Sequence, residues 1–138
     1  MVTAMSEASI PKTDARRYSD GHLWLEPLDG LLFVGLTKLA LEELGEVNFV
    51  ELPKCGGAIK KDDVLFVLEA NKASGDFLAP VDGTVSAVNH AAETRPSLLN
   101  ASPEEQGWLC ALSNVSHEQF IALMTASEYD KWLAAQKN

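Results

Sequence analysis

The sequence predicts a mainly β fold with short helices (α+β): short antiparallel strands, closed by helices at the C-terminal end. Three observations predict it. Apolar residues between His22 and Leu112 come in runs of about six, alternating or continuous, which is the length of strands. The runs are separated by Gly, Pro, Asn and Asp, the residues that turns require. Near the end of the chain, Ser116 with Gln119 and Thr125 with Glu128 have the spacing of helix capping boxes. At 138 residues the chain is one domain's worth, able to bury roughly two thirds of its surface.

Residues 1–17 (MVTAMSEASIPKTDARR) are polar and aperiodic and read as a flexible N-terminal tail, leaving 18–138 as the domain. His22 to Leu28 and Leu31 to Leu36 flank Asp29-Gly30, a strong hairpin signal, and Pro27 suggests an edge. Thr37 can cap a helix from Lys38 to Leu44 that Gly45 stops. Strands follow at Val47–Leu52 and around Ile59, with Cys55-Gly56-Gly57 and Lys60–Asp63 as turns. Val64 to Ala70 is the most strand-like run, residues 73–79 return it, and Pro80–Gly83 turns into Thr84–Asn89. His90 to Gly107 reads as a long loop with one helical turn near Ser97, before a last strand from Trp108 to Leu112. Trp24, Phe49, Val67 and Trp108 sit inside apolar runs and are expected in the core.

A formal charge of -9 excludes binding to nucleic acid through a basic face and argues against anionic membranes. No apolar run is long enough to span a bilayer, and no secretory leader is read at the N-terminus. Cys55 and Cys110 are too few for a disulfide scaffold and read as free thiols of a cytoplasmic protein. His22, His90 and His117 show no metal spacing with them. There is no nucleophilic triad, no phosphate-cradling loop and no evident acid–base pair. A small acidic domain of this kind is expected to be a carrier or binding module and not an enzyme.

Lys72 is the informative residue. It lies in Glu69-Ala-Asn-Lys72-Ala, between two strand runs, where a hairpin would hold its amine at an exposed tip. Asn71 tolerates the left-handed backbone that such a turn can need. Gly57-x-Ile59-x-Lys61-x-Asp63 precedes it, and Ala79-Pro80-Val-Asp-Gly83-Thr-Val85 follows. This order resembles lipoyl and biotinyl domains, and the neighbours Asn71 and Ala73 look like the lipoyl version. The resemblance widens over about residues 18–135. His22-Leu-Trp24, Val34-Gly35-Leu-Thr37, Leu44-Gly45-Glu-Val47, Phe49-Val-Glu-Leu-Pro53, Gly107-Trp108-Leu109 and Glu128-Tyr129 resemble the H-protein family of the glycine cleavage system.

That resemblance implies a lipoyl-type barrel-sandwich hybrid with added helices, and lipoate attached to Lys72 by a lipoate ligase or lipoyltransferase. Glu69, Asn71 and Asp76 flank the lysine as recognition residues, and the carrier is expected to act as a monomer. The departures shape the expected pathway. Such proteins usually read His-Glu-Trp, the Glu helping to hold an aminomethyl cargo; this chain reads His22-Leu23-Trp24. Leu23 cannot pair with an ammonium. The variant pattern looks like lipoate-binding relatives that serve a heterodisulfide-reductase-like complex in sulfur oxidation. The primary expectation is therefore a sulfur relay, with His22 and Leu23 near the arm and Cys55 and Cys110 as candidate exchange thiols. The alternative is the glycine cleavage role, with glycine decarboxylase and aminomethyltransferase as partners.

Overall fold

The structure, a computed structural model, describes residues 9–136. Its elements run β1 (Arg17–Tyr18), β2 (Leu23–Leu28), β3 (Leu31–Leu36), α1 (Lys38–Leu44), β4 (Val47–Glu51), β5 (Ala58–Ile59), β6 (Val64–Ala70), β7 (Ser74–Leu78), β8 (Gly83–Val88), α2 (His90–Thr94), α3 (Ser97–Ala101), β9 (Cys110–Ser113), α4 (His117–Ile121) and α5 (Ala126–Gln136). Two open antiparallel sheets result, one in the order β1-β2-β3-β9-β8-β5 and one in the order β4-β6-β7. Their inner faces share one core, with Leu25, Val34 and Leu112 from the first sheet meeting Val50, Phe66 and Leu68 from the second. A second cluster joins Trp24, Phe33 and Trp108 to Tyr129 of α5, which fastens the C-terminal helix to the outer face.

Local chemistry accounts for most elements. Asp29 and Gly30 both have positive φ (54° and 79°), the tight turn whose twist matches a β-hairpin. It sets the β2–β3 register from Leu28↔Leu31 to Leu23↔Leu36. Thr37 Oγ1 accepts the Ala40 N–H and starts α1, while the Gly45 N–H closes it on the Leu41 carbonyl. Thr125 and Glu128 form the expected reciprocal box, each N–H bonded to the other's side chain. Ser116 caps α4, but the Gln119 side chain does not return the bond; it accepts the Asp82 N–H at 2.8 Å.

Four expectations need correction. Residues 1–8 lie outside the described residues, and within the rest of the expected tail Ile10 and Arg16 are anchored in the domain, each 1% exposed, while 11–15 are exposed. The stretch 90–107, expected as a loop with one helical turn near Ser97, holds that turn as α3 after Pro96 and adds α2, which Asn89 caps. Trp24 and Trp108 are fully buried as expected, but Val67 is half-buried and Phe49 is 47% exposed. The cause is a bulge. Val47 pairs with Ala70 and Phe49 with Glu69, so two β4 steps match one on β6 and the facing residues become Val47 and Val50. Phe49→Ala is therefore expected to cost less than about 1 kcal/mol in chemical denaturation. A loss of about 3 kcal/mol or more, usual for a buried aromatic, would place the ring inside.

Candidate functional site

The β6–β7 hairpin places Lys72 at its tip, with Glu69 paired across to Ser74 and the Ala70 N–H bonded to the Ala73 carbonyl. The lysine is exposed, but it does not hang in solvent. A helix leaves its last carbonyls without partners inside itself, and the hairpin tip supplies them for α1. The Lys72 N–H donates to the Leu44 carbonyl at 3.0 Å, and Lys72 Nζ donates to the Glu42 carbonyl at 3.0 Å. The Asn71 N–H donates to the Glu46 carbonyl at 2.9 Å.

Asn71 is at the tip for a different reason than the one expected. It is not among the positive-φ residues. Its side chain ties the tip to the α1–β4 turn, accepting from Asn48 Nδ2 at 3.0 Å and donating to Glu46 Oε1 at 3.3 Å. Asn100 of α3 braces that turn from the other side. Its Nδ2 donates to the Gly45 carbonyl and its Oδ1 accepts the Val47 N–H. Glu46, Gly45 and Asn100 escaped the sequence reading. Gly45 carried a helix-stop signal and a place in the Leu44-Gly45-Glu-Val47 resemblance but no role at the site, and Asn100 carried no signal.

On the other strand of the hairpin, Asp76 lies four residues beyond Lys72, about 13 Å along the strand. It lines a groove of about 600 Å³ with Leu23, Asp20, Asp62 and Lys61, walled by Met124 and Trp132. Two residues singled out separately in the sequence, Leu23 and Asp76, thus meet in one groove. Leu23 is only 1% exposed and packs in the main core. Leu23 gives that wall no charge, but Asp20, Asp62 and Asp76 bring three carboxylates to the groove.

His22 sits between groove residues Gly21 and Leu23 with a left-handed backbone (φ 65°). Its ring turns onto α5, where Nδ1 and the Tyr129 hydroxyl share a hydrogen bond of 2.8 Å and Trp132 lies 5.7 Å away. Burial pushes the Tyr129 phenol above its usual pKa, so the hydroxyl stays protonated. His22 thereby fixes the C-terminal helix beside the groove.

The two cysteines are not brought to Lys72. Cys110 is fully buried in β9, and burial pushes its thiol up to about 12, far from the thiolate that exchange requires. Cys55 is exposed and donates to the Ser86 carbonyl, but it follows the Glu51 end of β4, whereas Lys72 adjoins the Val47 end. Among the described residues no group of three or more His, Cys, Asp or Glu could hold a metal ion. No described helix is long and apolar enough to cross a membrane.

Comparison with known proteins adds an independent line. Residues 16–136 match the family model described as glycine cleavage H-protein. The glycine cleavage system H protein of Listeria innocua is 38% identical over 125 residues, covering 91% of this chain and 98% of that protein. That of Bacillus velezensis is 37% identical over 123 residues, covering 89% and 95%. The crystal structure of a glycine cleavage system H protein from Mycobacterium marinum superposes with a TM-score of 0.78 at 31% identity, covering 89% of this chain and 99% of that one.

Proposed function

We propose that this chain, which belongs to the glycine cleavage H-protein family, carries lipoate on Lys72 and shuttles an aminomethyl cargo between glycine decarboxylase and aminomethyltransferase. It is a non-catalytic carrier, and its family holds lipoate covalently on a lysine. The observation that carries the assignment is the exposed Lys72 at a hairpin tip whose return strand leads into a carboxylate-lined groove. The residues fit the group. In attachment, the Lys72 amine loses a proton and attacks an activated lipoyl carbonyl; a C–N amide bond forms and the activating group leaves. When attached, the lipoyl group supplies dithiolane and dithiol chemistry, and the protein's part is to present and receive it.

An aminomethyl amine is a cation, and a carboxylate is the side chain that can hold it. Asp76, with Asp62 and Asp20 on the same groove, can do what Leu23 cannot. Glu69, exposed beside the tip, stays a recognition charge in this reading, suited to steering the modifying enzyme. The chain works as a monomer in the cytoplasm; both its thiols are free, as a reducing compartment keeps them.

Leu23 alone favours the second reading, a sulfur relay with a heterodisulfide-reductase-like complex. The relatives named above are glycine cleavage proteins, and neither cysteine stands by the arm, so we rank that reading second. Glycine–bicarbonate exchange with a bacterial glycine decarboxylase decides between them. The lipoylated protein is expected to support exchange, and Asp76→Asn to lower it roughly ten-fold, the worth of one charge-assisted contact, with lipoylation intact. Absence of exchange in the unsubstituted carrier would overturn the glycine reading. Unchanged exchange in Asp76→Asn would move the contact to another carboxylate.

A further inference from the structure

We propose that a second groove, between α1 and α3, is a resting seat for the acyl arm, separate from the carboxylate-lined groove that receives its cargo. This groove has a volume of about 700 Å³ and contains Lys72 itself. The volume lies within the range of pockets that bury small ligands. From Gly45 it runs past Glu42 to Leu41 and Lys38 on one side and to Ala101 and Pro103 on the other. The inference rests on Lys72 being the acylated residue.

The lysine already lies in the mouth of this groove, and Gly45 is the reason it can. Gly45 has φ 82° and ψ -157°, a region that only glycine occupies readily. A Cβ there would stand 3.0 Å from Lys72 Cγ and 3.4 Å from both Cδ and Cε, so the bare Cα leaves a track for the lysine stem. The stem ends with Nζ on the Glu42 carbonyl at 3.0 Å. Acylation removes the charge of the amine but leaves one N–H on the amide nitrogen, so this hydrogen bond survives the modification. The first acyl carbons then continue beyond Nζ, where Ala101 and Pro103 offer apolar surface and the core residue Leu41 forms the floor. The braces on the α1–β4 turn, Asn71 to Glu46 and Asn100 to Gly45, keep the seat in place. A resting arm held there is released by the loss of one hydrogen bond and a small apolar contact.

The test uses the full chain, isotopically labelled and acylated with octanoate by a lipoate–protein ligase, an eight-carbon arm without the dithiolane. Mass spectrometry locates the acyl group. Nuclear Overhauser contacts from the octanoyl methylenes to Leu41 and Ala101 are expected, together with shift changes at Gly45. Ala101→Trp, which fills the far wall without touching the hairpin, should abolish the contact to Leu41 while octanoylation proceeds. Acylation at Lys72 with shift changes confined to residues 70–74 would overturn the seat and leave the carrier function standing. Acylation at another lysine would overturn both.

Discussion

Lys72→Arg is expected to abolish lipoylation completely, with the other lysines left in place. Co-expression with a lipoate–protein ligase should add one lipoyl group to the unsubstituted chain, read by intact mass, and none to the variant. Arginine retains the charge and most of the stem, but its guanidinium stays protonated and offers no amine for acylation. The fold should tolerate the exchange. The side chain is exposed, and the tip is held mainly by backbone bonds from residues 71 and 72 to Glu46 and Leu44. Lys60 and Lys61 are equally exposed but lie in the β5–β6 turn, where nothing fixes a side chain against a helix end as Glu42 fixes Lys72. A lipoyl group surviving Lys72→Arg would sink the assignment.

The parts of this molecule that could be read from the sequence are those governed by neighbours in the chain. The Asp29-Gly30 hairpin, the Thr37 cap, the Gly45 stop and the β6–β7 hairpin around Lys72 depend on two-residue or 3.6-residue periods, and each is found where it was expected. Phe49 was misread because a bulge shifts the phase of β4 by one residue, and nothing in an apolar pattern encodes a bulge. Helix α2 carries no readable period in its five residues, and only the Asn89 cap signals it, whereas α3 is the helical turn expected near Ser97. The site divides the same way. Lys72 stands out as a candidate through the motifs on either side of it, from Gly57 to Val85, whereas the groove joins Leu23 to Asp76, and the turn brace joins Gly45 to Asn100, across 53 and 55 residues. Such meetings are products of packing, and single-sequence patterns are blind to them.

The segment before β1 supplies the other large effect. Arg16 and Glu26 are each 1% exposed and joined at 2.6 Å through Nε and Oε1. The Thr13 N–H and hydroxyl also donate to the Glu26 carboxylate. The rest of the guanidinium donates to the Glu104 and Ile10 carbonyls and lies 4.0 Å over the Trp24 ring. Glu26→Gln keeps the shape but leaves a buried guanidinium without its counter-charge, so a loss of about 3–5 kcal/mol is expected in urea denaturation. That is a large part of the roughly 5–15 kcal/mol that holds a domain folded. The double replacement Arg16→Met with Glu26→Leu removes both charges and should recover most of the loss, because the cost lies in the orphaned ion and not in the missing attraction. A loss below about 1 kcal/mol for Glu26→Gln would show that water reaches the pair. The consequence reaches the arm as well. Arg16 holds the Glu104 carbonyl, Trp24 Nε1 holds the Pro103 carbonyl at 3.0 Å, and Glu104 Oε2 accepts the Lys38 N–H at the start of α1. Pro103 and Lys38 both line the groove that contains Lys72. Loosening the buried pair should therefore speed amide exchange at Lys38 and along residues 103–107 well before the β6–β7 hairpin opens, since the hairpin's own ladder does not pass through Arg16.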